Sequence, residues 1–235
     1  MVQHGYITKS QADINEKMRA ILVDWLVDVH LKFKLLPETL FLTVNLIDRY
    51  LNQVPVSRQK LQLVGVGAML IAAKYEEIYP PEVKEFEYVT DKAYNKAEIL
   101  DMEGKILGCL NFNLTTPSSL KFLERYAMLA QTDEKMLNMA KYLLELALVE
   151  YKMLKYSPSN IACSAIYLIN KINKREGWPS NMAKNTKYAE TQLRPCAKDL
   201  CMLLQNVGKS SLQAVRRKFS SSKYTQASKI QLDKA

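Results

Sequence analysis

The stretch Ala68-Met-Leu-Ile-Ala-Ala-Lys74 returns in altered form as Ala165-Ile-Tyr-Leu-Ile-Asn-Lys171, 97 residues further on (68 to 165), and that spacing decides the fold. Each copy belongs to a helix that opens at a serine, Ser57 in the first case and Ser157 in the second. A repeat of this length is a whole small domain, well beyond the ~20–50 residues of a solenoid unit. Each copy is apolar on nearly every face, as expected of a helix surrounded by its neighbours. The reading is therefore two tandem all-α modules, each of five helices packed around a central third helix.

Outward from these two axes, helical periodicity runs from about Asn15 to about Phe219, with no sustained two-residue alternation that would mark a half-buried strand. The first helix is read as opening at Asp13, with Glu16 three residues later in a capping-box arrangement, and as running to about Lys34. Others are expected to begin near Pro37, Ser57, Pro81 and Lys96, then near Pro117, Asp133, Ser157, Asn181, Gln192 and Lys209. The expected division is 1–114 for the first module with a short lead-in, 115–208 for the second, and 209–235 for a basic C-terminal helix and tail. Gly65 and Gly67 lie inside the first axis. Each costs a helix about 1 kcal/mol relative to Ala, which makes sense where neighbouring helices approach the backbone closely. They are no phosphate loop, since the preceding strand, the third glycine and the Lys-Ser/Thr ending are missing.

Composition excludes several function classes. With 48% hydrophobic and 24% charged residues and only 7 Gly and 8 Pro in 235, the chain has the material for packed domains. Cys109, Cys163, Cys196 and Cys201 fall at irregular spacing in apolar helical stretches, the pattern of core thiols in a reducing compartment. His4 and His30 are too few and too far apart to complete a zinc site with them. The longest apolar run, Leu61–Ala73, is far short of the ~20 residues of a membrane span, and no signal peptide is read before it. Of the formal charge of +9, the segment from Lys209 onward carries seven Lys/Arg against one Asp, so the body is only mildly basic and the tail reads as solubilising or weakly anchored. There is no G-x-S-x-G, H-E-x-x-H, C-x-x-C or Walker sequence. No cofactor and no catalysis are expected, so function should lie in exposed apolar surface. Met18, Ile21, Leu22 and Trp25 form one stripe on the first helix. By periodicity it reads first as ordinary core, since such stripes usually face inward, with the floor of a shallow peptide groove as the alternative.

At Met18-Arg-Ala-Ile-Leu-Val-Asp-Trp-Leu26 and Lys74-Tyr-Glu-Glu-Ile-Tyr-Pro-Pro-Glu82 the sequence resembles the cyclin box of A- and B-type mitotic cyclins. Ile47-Asp-Arg-Tyr-Leu51, Leu61-Gln-Leu-Val-Gly65 and Ala214-Val-Arg-Arg-Lys-Phe219 with Ser220-Ser-Ser-Lys-Tyr224 fit the same family in the same order. The motifs mix A-type and B-type features. The resemblance implies paired five-helix boxes and a regulatory subunit, found in nucleus and cytoplasm, that activates a cyclin-dependent protein kinase. It places Lys74 and Glu103 at the kinase grip, with Tyr75, Glu76, Leu107, Phe112 and Leu114 around them. It makes Met18, Ile21, Leu22 and Trp25, with Leu61 and Gln62, an exposed docking patch for substrates or inhibitors carrying a basic-x-leucine motif, rimmed by Asp28 and Arg58. Arg19 and Asp48 match a structural ion pair. Arg19-Ala-Ile-Leu22 also fits an R-x-x-L destruction signal, which a position inside an ordered helix argues against. The family's additional N-terminal helix and long degradation-signal tail are not visible before the first box helix, so the sequence is expected to be a piece of a longer chain. A rival use of the fold, a transcription initiation factor on DNA, would spread Lys/Arg over the module surfaces; neither nucleic acid nor membrane is expected as a partner.

Overall fold

The computed structural model describes residues 5–229; His4 and the last six residues of the basic tail, 230–235, lie outside that range. All regular elements among the described residues are helical. In chain order they are α1 (Tyr6–Ser10), α2 (Glu16–Lys32), α3 (Pro37–Leu51), α4 (Arg58–Glu76), α5 (Val83–Val89) and α6 (Lys96–Cys109). There follow α7 (Ser119–Leu129), α8 (Glu134–Val149), α9 (Pro158–Ile172), α10 (Ser180–Thr186), α11 (Glu190–Asn206) and α12 (Ala214–Phe219), with short 3₁₀ turns at Tyr151–Lys155, Val207–Lys209, Ser222–Tyr224 and Ala227–Lys229. The chain forms two compact units, Met1–Thr116 and Pro117–Ala235.

In the first unit α4 is the axis, packed by α2, α3, α5 and α6. Its residues Leu63 to Ala73 are buried without a break, which is why the sequence shows no polar stripe there. The two glycines mark where neighbours press closest. A Cβ built on Gly65 would stand 2.8 Å from Leu22 Cδ1, and one on Gly67 would stand 2.9 Å from Met102 Cγ and 3.4 Å from Met102 Cβ. The second contact involves the stem of Met102, which has little room to swing. Gly67→Ala is therefore expected to destabilise the protein despite gaining about 1 kcal/mol of helix propensity, because overpacking costs about 1–3 kcal/mol. A urea midpoint at or above that of the parent, with unchanged m, would contradict this.

The second unit repeats the plan, with α9 packed by α7, α8 and α11. Ser157 accepts the Asn160 N–H and Pro158 takes the first helical position, as a helix start with this sequence should. Cys163 and Cys196 are core thiols whose pKa burial pushes up to about 12, so neither is a reactive thiolate near neutrality. Cys109 and Cys201 are only half-buried, which departs from the expectation of four core thiols.

Three further expectations need correction. The first long helix opens at Glu16, not Asp13, because Asn15 accepts the Met18 N–H and is the cap; it ends at Lys32, after which Lys34 takes a positive φ of 55°. A short helix does precede it, α1, whose Tyr6 and Ile7 are buried. The C-terminal segment is no solvated tail as far as Lys229. The Val207–Lys209 turn leads to α12, which begins only at Ala214, and Val215, Phe219 and Ala227 are buried against α8 and its neighbours. Lys218 is itself inside, donating to Glu145 Oε1 at 2.6 Å, with the Phe219 and Tyr224 rings within 6 Å of its ammonium. Burial raises the Glu145 pKa, and the Lys218 charge offsets that only in part.

Candidate functional site

The last turn of α4 and the middle of α6 bring the two charges singled out in the sequence together. Lys74 Nζ donates to both carboxylate oxygens of Glu103, at 2.8 and 2.9 Å. The cation sits at the C-terminal end of its helix, where the helix dipole favours it. Both helices are fixed in direction by their ends. At α6 Asn95 and Glu98 form a reciprocal capping box. At α4 the chain stops at Glu77, whose carboxylate accepts the Leu36 N–H at 2.7 Å and so ties the end of α4 to the start of α3. Lys74 is nearly half exposed while Glu103 is mostly covered, so the carboxylate is held by the scaffold and the ammonium faces outward.

The chain segments that follow α4 and α6 expose several large apolar side chains. Tyr75 is 49% exposed and its hydroxyl bonds Thr115 Oγ1. Phe112 is 71% exposed, at the point where the chain reverses after α6. Asn111 and Phe112 both take positive φ, 50° and 55°, a costly conformation for residues with side chains. Arg49 holds the reversal by donating to the Asn113 carbonyl at 2.6 Å. Glu76, Leu107 and Leu114 are half-buried. The expected contact set omits Ile78 and Tyr79, which are 86% and 91% exposed and follow directly on the end of α4. Apolar residues outside any helical period, set against Pro80-Pro81, are the signal that marks them in the sequence.

A second surface lies on α2 and the start of α4. Ile21 is 49% exposed, Met18, Trp25 and Gln62 are half-buried, and Asp28 is exposed. Leu22 and Leu61 correct the reading of an exposed patch: both are buried, and Leu22 fills the space above Gly65. They support that surface from beneath. Arg58 is exposed, and Asp13 accepts from its Nε at 2.7 Å and from its backbone N–H at 2.8 Å. The Arg19-Ala-Ile-Leu22 run lies wholly within α2.

Beneath these surfaces Arg19 and Asp48 form a two-point ion pair, Nε to Oδ1 at 2.6 Å and Nη2 to Oδ2 at 2.7 Å, both side chains being almost fully buried. Tyr6 donates to Asp48 Oδ1 at 2.8 Å, joining α1 to the link between α2 and α3. Burial acts to lower the Arg19 pKa, but Asp48 and Tyr6 outweigh it and hold the guanidinium charged. No group of three or more His, Cys, Asp or Glu side chains stands in metal-binding proximity, and no helix is long and apolar enough to cross a membrane, among the described residues.

Comparison with known proteins accounts for both units. Residues 1–115 match the family described as cyclin, N-terminal domain, and residues 117–233 match cyclin, C-terminal domain. The chain is 48% identical over 230 residues to a G2/mitotic-specific cyclin-B of Marthasterias glacialis, which covers 97% of this chain and 59% of the relative. It is 49% identical over 226 residues to cyclin-A1-1 of Arabidopsis thaliana, covering 93% of this chain and 49% of the relative. The chain thus spans about half the length of such relatives. Among solved structures, a viral cyclin from herpesvirus saimiri superposes with a TM-score of 0.74 at 18% identity, over 85% of this chain and 93% of that one.

Proposed function

The chain belongs to the cyclin family, with its near relatives among the A- and B-type mitotic cyclins, and on that footing we propose that it is a non-catalytic subunit that binds and activates a cyclin-dependent protein kinase in cell-cycle control. The observation that carries this reading is the Lys74–Glu103 pair, together with the exposed Tyr75, Ile78, Tyr79 and Phe112. A charged pair together with exposed aromatic and aliphatic side chains on the segments that follow its two helices is the composition of a protein interface, with Tyr and Phe as its anchors. The mechanism is a population shift. Packing against a mobile kinase helix favours the conformation in which the kinase's own Lys–Glu pair forms and its activation loop opens. An interface above roughly 2,000 Å² is typical for such an assembly.

The α2 surface is assigned to substrates and inhibitors bearing a short basic-x-leucine motif, with Ile21, Met18 and Trp25 receiving the leucine and Asp28 suited to the cation. Membership of the mitotic cyclin group supports a place in nucleus and cytoplasm. The units proposed to carry these roles are the first box, to about residue 114, and the second, from about 115, with the segment from 209 onward serving as a packed closing element.

The test is the activity of a purified cyclin-dependent kinase with and without this protein. Strong stimulation supports the assignment; none with several such kinases overturns it. The two surfaces are separable. Trp25→Ala is expected to leave phosphorylation of a generic peptide within about twofold, while phosphorylation of a docking-motif substrate falls at least about tenfold, as for loss of an aromatic anchor. Equal loss of both with the helical fold intact would contradict the separation.

A further inference from the structure

Three side chains from residues 6–13 reach the same region in order. Tyr6 donates to Asp48 at 2.8 Å. Gln11, buried, donates to the carbonyl of Leu51 at 2.5 Å and to that of Val54 at 2.7 Å, and accepts the Val56 N–H at 2.9 Å. Asp13 accepts the Arg58 N–H and chelates its guanidinium, with Nη2 at 2.6 Å from Oδ1. The segment is thus stitched along the end of α3, the α3–α4 connection and the first residue of α4. Ser57, the residue before that helix, makes no side-chain cap, so Asp13 supplies the acceptor from 45 residues away. It thereby fixes both the backbone and the charge of the rim arginine.

We infer that the segment Tyr6–Asp13 is a strap that sets the docking rim, and that Asp13 is a positioning and specificity residue: by neutralising Arg58 it removes the preference that rim would otherwise have for acidic residues beside the motif. The inference rests on the docking reading of the α2 surface. Asp13 is half-buried and Arg58 exposed, and hydrogen bonding to Arg58 holds the Asp13 carboxyl below its usual range, so at physiological pH the carboxylate is ionised and offsets the arginine charge.

Asp13→Asn isolates the charge, because an amide oxygen still accepts the Arg58 N–H and preserves the start of α4. Two fluorescent basic-x-leucine peptides serve as probes, identical except that one carries Glu residues flanking the motif and the other Gln. The parent should bind both about equally. Asp13→Asn should bind the Glu peptide about fourfold tighter than the Gln peptide, the size of one exposed ion pair, and high salt or Arg58→Ala in addition should erase the difference. Binding that Trp25→Ala weakens, with the peptide ratio in Asp13→Asn still at one, overturns the role of Asp13 and leaves the docking reading standing. Absence of binding to the parent at millimolar peptide overturns the docking reading and the inference with it.

Discussion

Replacing Lys74 and Glu103 together by alanine is expected to disrupt activation of the partner kinase, moving its activation curve to much higher concentration, while leaving the protein folded. The second half follows from where the pair sits. Lys74 Nζ bonds both oxygens of Glu103, yet the lysine side chain is 46% exposed. Such a pair contributes about 0–1 kcal/mol to stability, because water solvates the ammonium nearly as well as the carboxylate does. The axis under it, Leu63 to Ala73, is untouched by the change. In a complex the accounting reverses. A partner packed on Tyr75, Ile78 and Phe112 would exclude water from the same pair, and groups of the partner built to meet those charges would be left unpaired. Truncating a desolvated, hydrogen-bonded charge costs about 2–5 kcal/mol, so affinity should fall by at least about thirtyfold. The measurement is the activation curve of the kinase against protein concentration, with circular dichroism and the urea midpoint as controls. Superimposable curves for parent and double variant would remove this surface as the kinase contact.

The architecture was legible because its markers are local. Ser157-Pro158 and Asn95 with Glu98 announce their helices by satisfying terminal N–H groups, and Gly65 and Gly67 announce close approach by their cost. What stayed hidden depends on partners far along the chain. Asp13 and Asn15 offer equivalent acceptors two residues apart, and only the fold shows that Asn15 caps α2 while Asp13 turns away to Arg58. Helix α1 is five residues long, too short to display a period, and its Tyr6 meets Asp48 from 42 residues away. Charge counting misjudged the C-terminal segment because it treats Lys218, which is buried against Glu145, like its exposed neighbours Arg216 and Arg217. The candidate site divides in the same way. Apolar periodicity alone left the α2 stripe readable as core or groove, and the structure splits it, with Leu22 inside and Ile21 outside. Lys74 and Glu103 lie on separate helices 29 positions apart, so only the family resemblance singled them out in the sequence.

Breaking the buried pair should have the largest effect on stability. Arg19→Ala or Asp48→Ala is expected to cost about 3–5 kcal/mol, the usual loss when one member of a desolvated ion pair is removed. The geometry favours the upper part of that range. Two parallel bonds of 2.6 and 2.7 Å join side chains that are 1% and 3% exposed, so neither charge has water to fall back on once its partner is gone. Asp48→Ala also deprives the Tyr6 hydroxyl of its acceptor, loosening α1 as well as the link between α2 and α3. Replacing both members by apolar residues of similar size, Arg19→Met with Asp48→Leu, should restore most of the loss, because no uncompensated charge remains inside. Urea denaturation of the two single variants and the double variant is the measurement. A loss below about 1 kcal/mol for Asp48→Ala would mean that water reaches the site and that packing of α2 on α3, not the pair, holds the first unit together. A double variant no better than the worse single one would show that the pair fixes the register of the two helices, which apolar contacts leave undetermined.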